Sequence, residues 1–230
     1  MKNKTVLAIP DIHFPAHHPD TFAFLKYLKK TIKPDEIVCL GDEIDAAGLS
    51  DWDRDPDMPG AGDELELAKK YLFQLYEIFP KVKVCTSNHT SRIYRRALKA
   101  GLPKNLLKSY AEILEAPKGW QWADQWEIDG VLYEHGEGFS GQGGALKAAM
   151  QNMQPTVIGH LHAYAGIQYY ANARYLIWGF NAACLIDHKN PAFNYGKHIK
   201  AKPIIGAGEI KNGEPRFIPM RLNKHGRWVK

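Results

Sequence analysis

At 230 residues the chain is long enough to bury one sizeable core, with room for an elaborated cap. Its 45% hydrophobic and 24% charged residues exclude a disordered or fibrous chain, and no apolar run approaches bilayer-spanning length. A net charge of +5 fits a polyanionic partner without requiring one, and three cysteines set singly in apolar runs argue for reduced, buried thiols rather than a disulfide framework or a zinc–thiolate cluster.

The opening "MKNKTVLAIPDIHF" has a basic end, but its apolar stretch is too short for a secretory signal and stops at Asp11, so a cytoplasmic protein is expected. Residues 4–11 read as a first strand and 20–31 as an amphipathic helix with Asp20 as its N-cap. A second strand follows at 35–42, a helix at 64–79 that stops before Pro80, and a third strand at 81–88. From 90 to about 116 the chain reads as helical and basic. Further strands are predicted at 130–136, 155–162, 166–171 and 174–180, and Asn212-Gly213 signals a two-residue hairpin turn near the end. Early β-α-β alternation and a β-rich second half predict an α/β fold with sheets flanked by helices.

The strands end in a recurring kind of residue. The first runs into Asp11 and His13, the second into Asp42 with Asp45 close behind, and the third into Asn88 and His89; the next two give His135, then His160 and His162. Residues two apart on an extended chain share a face, so His160 and His162 are expected to converge. Layered α/β folds gather ligands beyond the carboxyl ends of their strands. Carboxylate, amide and imidazole donors together suit Mn²⁺, Fe or Zn²⁺, and a shared carboxylate would bridge two ions some ~3.5–4 Å apart.

The strings "DIH" (11–13), "GDEID" (41–45), "SNHT" (87–90), "EHG" (134–136) and "GHLH" (159–162) occur in an order that resembles the calcineurin-like metallophosphoesterase superfamily. The resemblance implies a four-layer αββα sandwich of two mixed β-sheets flanked by helices, with two metals at one edge. It implies one domain over 1–230, with inserted cap elements around 46–64 and 90–128. It further implies that Asp11, His13, Asp42 and His162 hold one divalent ion, and that Asp42 bridges to a second held by Asn88, His135 and His160. Mn²⁺ is the expected ion, with Fe, Zn²⁺ or Ni²⁺ as alternatives. A metal-bound hydroxide would attack phosphorus, with Asp42 and His89 as catalytic residues; His89 would stabilise developing charge or protonate the leaving oxygen.

Three positions depart from the superfamily pattern. Ser87 replaces a glycine, which is tolerable if the turn avoids positive φ. Thr90 stands where an acidic residue commonly orients the histidine, so His89 is expected either to be less basic or to be oriented from elsewhere. Ala46 stands where protein phosphatases carry a phosphate-gripping arginine. Arg92, Arg95 and Arg96, at helical spacing just past His89, are candidates to bind substrate in its place, although a solvated face also explains them.

Other motifs count for less. "GEGFSG" (136–141) matches a dinucleotide-binding string but lacks the later acidic residue; its glycines could instead let backbone N–H groups approach a phosphate. The acidic stretch 51–64 fails as an EF-hand, with Pro56 at the glycine position, and reads as a cap loop near the metals or a solvated loop. Trp120, Trp122 and Trp126 are expected to cover a sheet, and His17, His18, His188, His198 and His225 to lie at the surface, with His17 and His18 able to line the rim. The function expected is a metal-dependent phosphodiesterase acting on a nucleotide, DNA or RNA, with a phosphomonoesterase as the alternative and no membrane partner. A metal-holding scaffold without activity is a third reading, and oligomeric state is left open.

Overall fold

A computed structural model of the chain describes residues 4–51, 57–196 (194–196 by backbone alone) and 200–230. Eleven strands form two mixed sheets among the described residues. The first sheet orders β11-β10-β1-β2-β3-β4: β1 (Thr5–Ile9), β2 (Glu36–Cys39), β3 (Val82–Cys85) and β4 (Trp120–Ala123) run parallel, and the hairpin of β10 (Gly206–Lys211) and β11 (Glu214–Pro219) joins β1 antiparallel. The second orders β5-β6-β7-β9-β8, from β5 (Gln125–Ile128), β6 (Val131–Glu134), β7 (Thr156–Ile158), β8 (Gly166–Ala171) and β9 (Leu176–Asn181). In it β6, β7 and β9 run parallel and both edges are antiparallel.

Period-two patterning builds the layers. Val6 and Ala8 face the inter-sheet core with Val38, Leu40, Tyr133, Val157 and Phe180, while Leu7 and Ile9 point the other way. That outer face is covered by α1 (Thr21–Ile32), through Phe24, Leu25 and Leu28, and by α2 (Ala61–Ile78), through Ala68, Leu72 and Leu75. On the far side α5 (Gly144–Asn152) lays Ala145 and Ala148 against Ile158. Strands apolar on both faces are what a sheet covered on both sides requires. The fold is α/β, with two mixed sheets between helical layers.

Several expectations need correction. The helix expected over 90–116 is broken: α3 (Arg92–Lys99) ends at Gly101 (φ +80°) and Pro103, and a short α4 (Tyr110–Ile113) restarts behind a Ser109–Glu112 capping box. Residues 120–128, expected in a cap, are β4 and β5. Asp20 precedes α1 but makes no side-chain cap; its carboxylate accepts instead from Arg227 Nε at 2.8 Å and from the Trp228 backbone N–H at 2.9 Å. His18 is buried rather than at the surface, accepting at Nδ1 from the Asp20 N–H at 3.1 Å. His17 packs among Phe14, Phe22 and Tyr71, and burial lowers its pKa to about 4. His188 and His225 are exposed, and His198 lies outside the described residues.

Most of the acidic stretch can be placed, although 52–56 lie outside the described residues. Glu64 is buried in the first turn of α2 and accepts from the N–H groups of Ala47 and Gly48 at 2.8 and 2.7 Å. The tryptophans cover the sheets: Trp120 Nε1 donates to the Phe79 carbonyl at 2.8 Å, and Trp126 Nε1 to the Val84 carbonyl at 3.0 Å. No helix among the described residues is long and apolar enough to cross a membrane.

Candidate metal centre

The loops that leave β1, β2, β3, β6 and β7 meet at one rim. The N–H groups of Ile12 and His13 both donate to the Asp42 carbonyl, at 3.1 and 2.8 Å, which ties the first loop to the second. Gly41, at φ +99°, has no room for a side chain: a Cβ there would lie 2.7 Å from Ser87 Cβ and 2.9 Å from His135 Nδ1. A glycine is what lets the β2, β3 and β6 loops close together. Gly159 serves the β7 loop in the same way, since a Cβ would fall 2.1 Å from Asp11 Oδ1.

Local backbone at this rim is unusual. His13, Asp42 and His160 have φ of +55°, +47° and +64°, a left-handed conformation that costs a non-glycine residue on the order of 1 kcal/mol or more. The shared-face expectation for His160 and His162 is therefore met for a different reason. The strand stops at Ile158, and a turn rather than strand alternation aims the two rings. Its N–H groups hold it in place, the His160 N–H donating to Asp11 Oδ2 at 2.7 Å.

The side chains form three overlapping groups: Asp11, His13, Asp42 and His162; Asp42, His135 and His160; and His13, Asp45 and His89. Asn88 joins the second, its Oδ1 2.6 Å from His135 Nε2. All seven residues named as ligands from the sequence are thus brought together, with Asp42 common to two groups. Within them His13 Nε2 faces His162 Nε2 at 3.2 Å and Asp42 Oδ2 at 3.3 Å; His135 Nε2 lies 3.4 Å from Asp42 Oδ2 and 3.2 Å from His160 Nδ1. Donors about 2.1 Å from a common ion and at right angles around it lie roughly 3 Å apart, so these spacings fit cation ligation.

Two further observations agree with that fit. Asp11 Oδ1 is buried with no donor among the described residues, an acceptor left over. Electrostatics point the same way: burial opposes charge on His13, yet Asp42 and Asp45 outweigh it and push the imidazole up to about 10. Burial likewise opposes the Asp42 carboxylate, but His135, His89 and His13 hold it well below the usual carboxylate range. His135 is raised, its burial outweighed by Asp42 and Asp11, while burial and the neighbouring His135 lower His160. Protons on the imidazoles balance the carboxylates here, and a divalent cation could take their place. The residues present could hold a metal ion.

Asp45 is the member whose role the sequence did not reveal. Its Oδ1 accepts from His13 Nδ1 at 2.8 Å and lies 3.0 Å from His89 Nδ1, while its backbone carbonyl lies 2.6 Å from that same nitrogen. One residue therefore fixes two imidazoles, the arrangement by which a carboxylate orients a metal-ligating histidine. His89, lacking an acidic residue at Thr90, is oriented from here. Ser87 has an ordinary backbone, and its Oγ accepts from the Thr90 N–H at 3.3 Å.

The three arginines separate. Arg92 donates to the Asp45 carbonyl at 2.9 Å and lies 3.2 Å from His89 Nε2. Arg95 donates to the Asn88 carbonyl at 2.8 Å. Arg96 turns away, donating to the Leu49 carbonyl at 2.9 Å and pairing with Asp51 at 3.0 Å. In the glycine string, Gly136 (φ +96°) packs on Ile158, and α5 begins only at Gly144.

No family model matches the chain, and no curated protein does. Among solved structures, Yfce, a phosphoesterase from E. coli, is similar over 98% of this chain and 97% of its own, at 17% identity and a TM-score of 0.48. A metallophosphoesterase from Sphaerobacter thermophilus is similar over 95% and 88%, at 15% identity and a TM-score of 0.46. Vps29 from Chaetomium thermophilum is similar over 98% and 93%, at 12% identity and a TM-score of 0.47. In this chain the five strings that carry Asp11, Asp42, Asn88, His135 and His160 lie on five loops, closed together by Gly41 and Gly159.

Proposed function

We propose that the chain is a metal-dependent phosphodiesterase that hydrolyses a nucleotide or nucleic-acid phosphodiester. The observation that carries this reading is the convergence of seven Asp, Asn and His side chains on one rim, with Asp42 shared between two groups. We assign Asp11, His13, Asp42 and His162 to one ion and Asp42, Asn88, His135 and His160 to a second, with Mn²⁺ the expected metal. When bound, such ions activate water and neutralise phosphate charge.

The chain's own residues account for the rest. Asp45 holds His89 by Nδ1 and the Arg92 guanidinium faces Nε2, so once Arg92 turns to the phosphate a proton taken up at Nε2 is the one brought to the departing oxygen as the P–O bond breaks. Arg92, beside that Nε2, is placed to grip a non-bridging phosphate oxygen, with Arg95 three residues further along α3. A phosphomonoester carries one more negative charge than a diester and calls for a stronger cationic clamp. With Arg96 committed to the 49–51 segment, the diester is the better match.

The test is a panel of bis(4-nitrophenyl) phosphate, 4-nitrophenyl phosphate, cyclic nucleotides and labelled oligonucleotides, assayed with Mn²⁺ and then with chelator. Diester turnover that needs Mn²⁺ is expected. Turnover of the monoester alone would overturn the diester assignment, and turnover indifferent to chelator would overturn the metal assignment.

A further inference from the structure

The end of the molecule opposite the rim carries a charged surface that the chemistry above does not use. There α1 passes through Lys33 and Pro34 into the start of β2, and two clefts of about 580 and 400 Å³ adjoin between the C-terminal ends of α1 and α2. Lys26, Lys29, Lys30, Lys33 and Lys81 line them, against the single carboxylate of Glu77. The first four lysines stand at i, i+3, i+4 and i+7 along α1 and its C-cap, so they share one face and span about 10 Å of the helix axis. From Thr21 to Lys33 the chain has no acidic residue.

Helix stability explains only part of this. Cations in a last turn complement the helix dipole, and Lys29 does so directly, its Nζ donating to the Ile78 carbonyl at the end of α2 at 2.5 Å. Lys26, however, lies in mid-helix, and Lys81 is on another loop. Lys26, Lys30, Lys33 and Lys81 are exposed and make no ion pair or side-chain hydrogen bond among the described residues. A solvated helix face ordinarily mixes acids among its bases, as α2 does with Glu66 beside Lys69. Like charges one turn apart repel, and an anion seated among them relieves that repulsion.

A single phosphate is too small an occupant for lysines spread over about 10 Å. A membrane surface fits poorly, because the site is concave and the large apolar side chains in its lining, Ile78 and Phe79, are buried, with no anchor to insert among acyl chains. A nucleic-acid strand, with one phosphate per about 3.4 Å, matches the stripe with about three phosphates. The stripe also leads away from the rim. Thr21, which opens α1, donates its hydroxyl to the Leu185 carbonyl at 3.4 Å, and the Leu185 N–H donates to the Asp11 carbonyl at 2.8 Å. Lys26 and Lys33 lie about 8 and 18 Å further along the helix axis, a reach of roughly two to five phosphates.

Building on the phosphodiesterase reading, we propose that the lysine face of α1, with Lys81, binds the backbone of a nucleic-acid strand whose scissile diester lies at the rim. The substrate is then a polynucleotide rather than a mononucleotide or a cyclic nucleotide. Lysines that meet phosphate alone carry no sequence information, so this contact fixes where the strand lies and not which bases it bears.

The experiment follows binding of a fluorescent single-stranded 12-mer to the chelator-treated protein by anisotropy, between about 50 and 200 mM salt, for the wild type and two double variants of equal charge. Lys30→Gln/Lys33→Gln alters the cleft and keeps good helix formers, while Lys147→Gln/Arg174→Gln alters α5 and the β8–β9 turn in the other half of the sandwich. The cleft variant is expected to bind about tenfold more weakly at the lower salt and to lose about 1.4 from the log–log salt slope, at ~0.7 per phosphate contact on a single strand. The other variant should stay within about twofold of the wild type, with its slope unchanged. With Mn²⁺ present, the cleft variant should show a similar rise in KM for the 12-mer, whereas a dinucleotide, too short to reach Lys26, should be cleaved as by the wild type. Equal losses in the two variants, or no binding of the 12-mer by the wild type at the lower salt, would overturn the proposal. Cleft-dependent binding to phosphatidylserine vesicles without binding to the 12-mer would overturn it as well, making the occupant a membrane. Cleft-dependent binding of the 12-mer with no diester cleaved would leave the cleft assignment standing and remove the phosphodiesterase reading. Thermal unfolding checks that both variants are folded.

Discussion

The middle of the sandwich and its rim are both buried, yet they obey opposite rules. Between the sheets, Val6, Ala8, Val38, Tyr133, Val157 and Phe180 pack side by side with ordinary extended backbone. A few residues further along the same strands, Asp11, His13, Asp42 and His135 are just as hidden from solvent, each at 3% exposure or less. There the charges face one another, and two of those four residues have left-handed backbone. Burial in the middle is favourable residue by residue, at about 25 cal/mol per Å² of apolar surface. At the rim each buried charge is costly and becomes tolerable only in company. The core therefore holds the shape, and the rim draws on the stability that the core supplies.

The sharpest way to break this contrast is to change one atom of the shared carboxylate. Asp42→Asn removes the charge common to two groups and leaves the core untouched. Activity is expected to fall by ~10³-fold or more, beyond the ~10–100-fold typical of outer-shell losses, with near-native circular dichroism. Steady-state kinetics and metal content by mass spectrometry check it, and unaltered activity would show that Asp42 bridges nothing. The complementary change is Phe180→Ala, inside the sandwich with 0% exposure. It should cost about 3–5 kcal/mol of stability by denaturant unfolding, while metal affinity at low temperature stays the same. A variant of the core that lost metal in proportion to stability would mean that the two regions are not separable.

Asp45→Asn sharpens the comparison, because Asp45 holds rings and ligates nothing in the assignment above. Loss of about 10–100-fold in metal affinity or turnover is expected from misoriented imidazoles. A calorimetric titration with Mn²⁺ distinguishes this from a simple loss of stability. The proton balance at the rim predicts an effect of similar size. His13 is raised to about 10, so it is protonated at neutral pH in the metal-free protein and must give up its proton to ligate. Metal affinity should therefore rise by roughly tenfold per pH unit between pH 6 and 8. In the metal-free protein the sign is opposite for stability. The contribution of His13 is complete below the ordinary imidazole value of 6.5 and is lost as pH rises through about 10, which thermal unfolding in chelator can follow.

How much of this was legible follows from the same contrast. Alternation along β1, Val6 and Ala8 one way and Leu7 and Ile9 the other, is a pattern of residue types, and the sequence carries it openly. The rim was legible as strings of ligating residues in order, but the reason for their convergence was not. His160 and His162 meet through a left-handed turn beyond the strand, and no periodicity encodes that. Asp45 could be seen to follow Asp42, but that one carboxylate reaches both His13 and His89 depends on two loops folding against a third. The break in the 90–116 helix was written in Gly101 and Pro103, and basic periodicity concealed it.

The smallest expected effect separates two arginines that look alike in the sequence. Arg92→Ala should raise KM by ~10-fold or more, because a charged hydrogen bond to phosphate contributes about 1.5–3 kcal/mol. Arg96 sits one helical turn later, but its guanidinium is spent on the Leu49 and Ser50 carbonyls and on Asp51, where the pair is about half exposed. An exposed pair of this kind contributes less than about 1 kcal/mol, so Arg96→Ala should leave kcat and KM within about twofold of the wild type. A tenfold rise in KM for Arg96→Ala would show that the segment it pins, rather than the guanidinium itself, shapes the approach to the rim. The division between a charged rim and a supporting scaffold would then have to be drawn further out, to include residues 49–51.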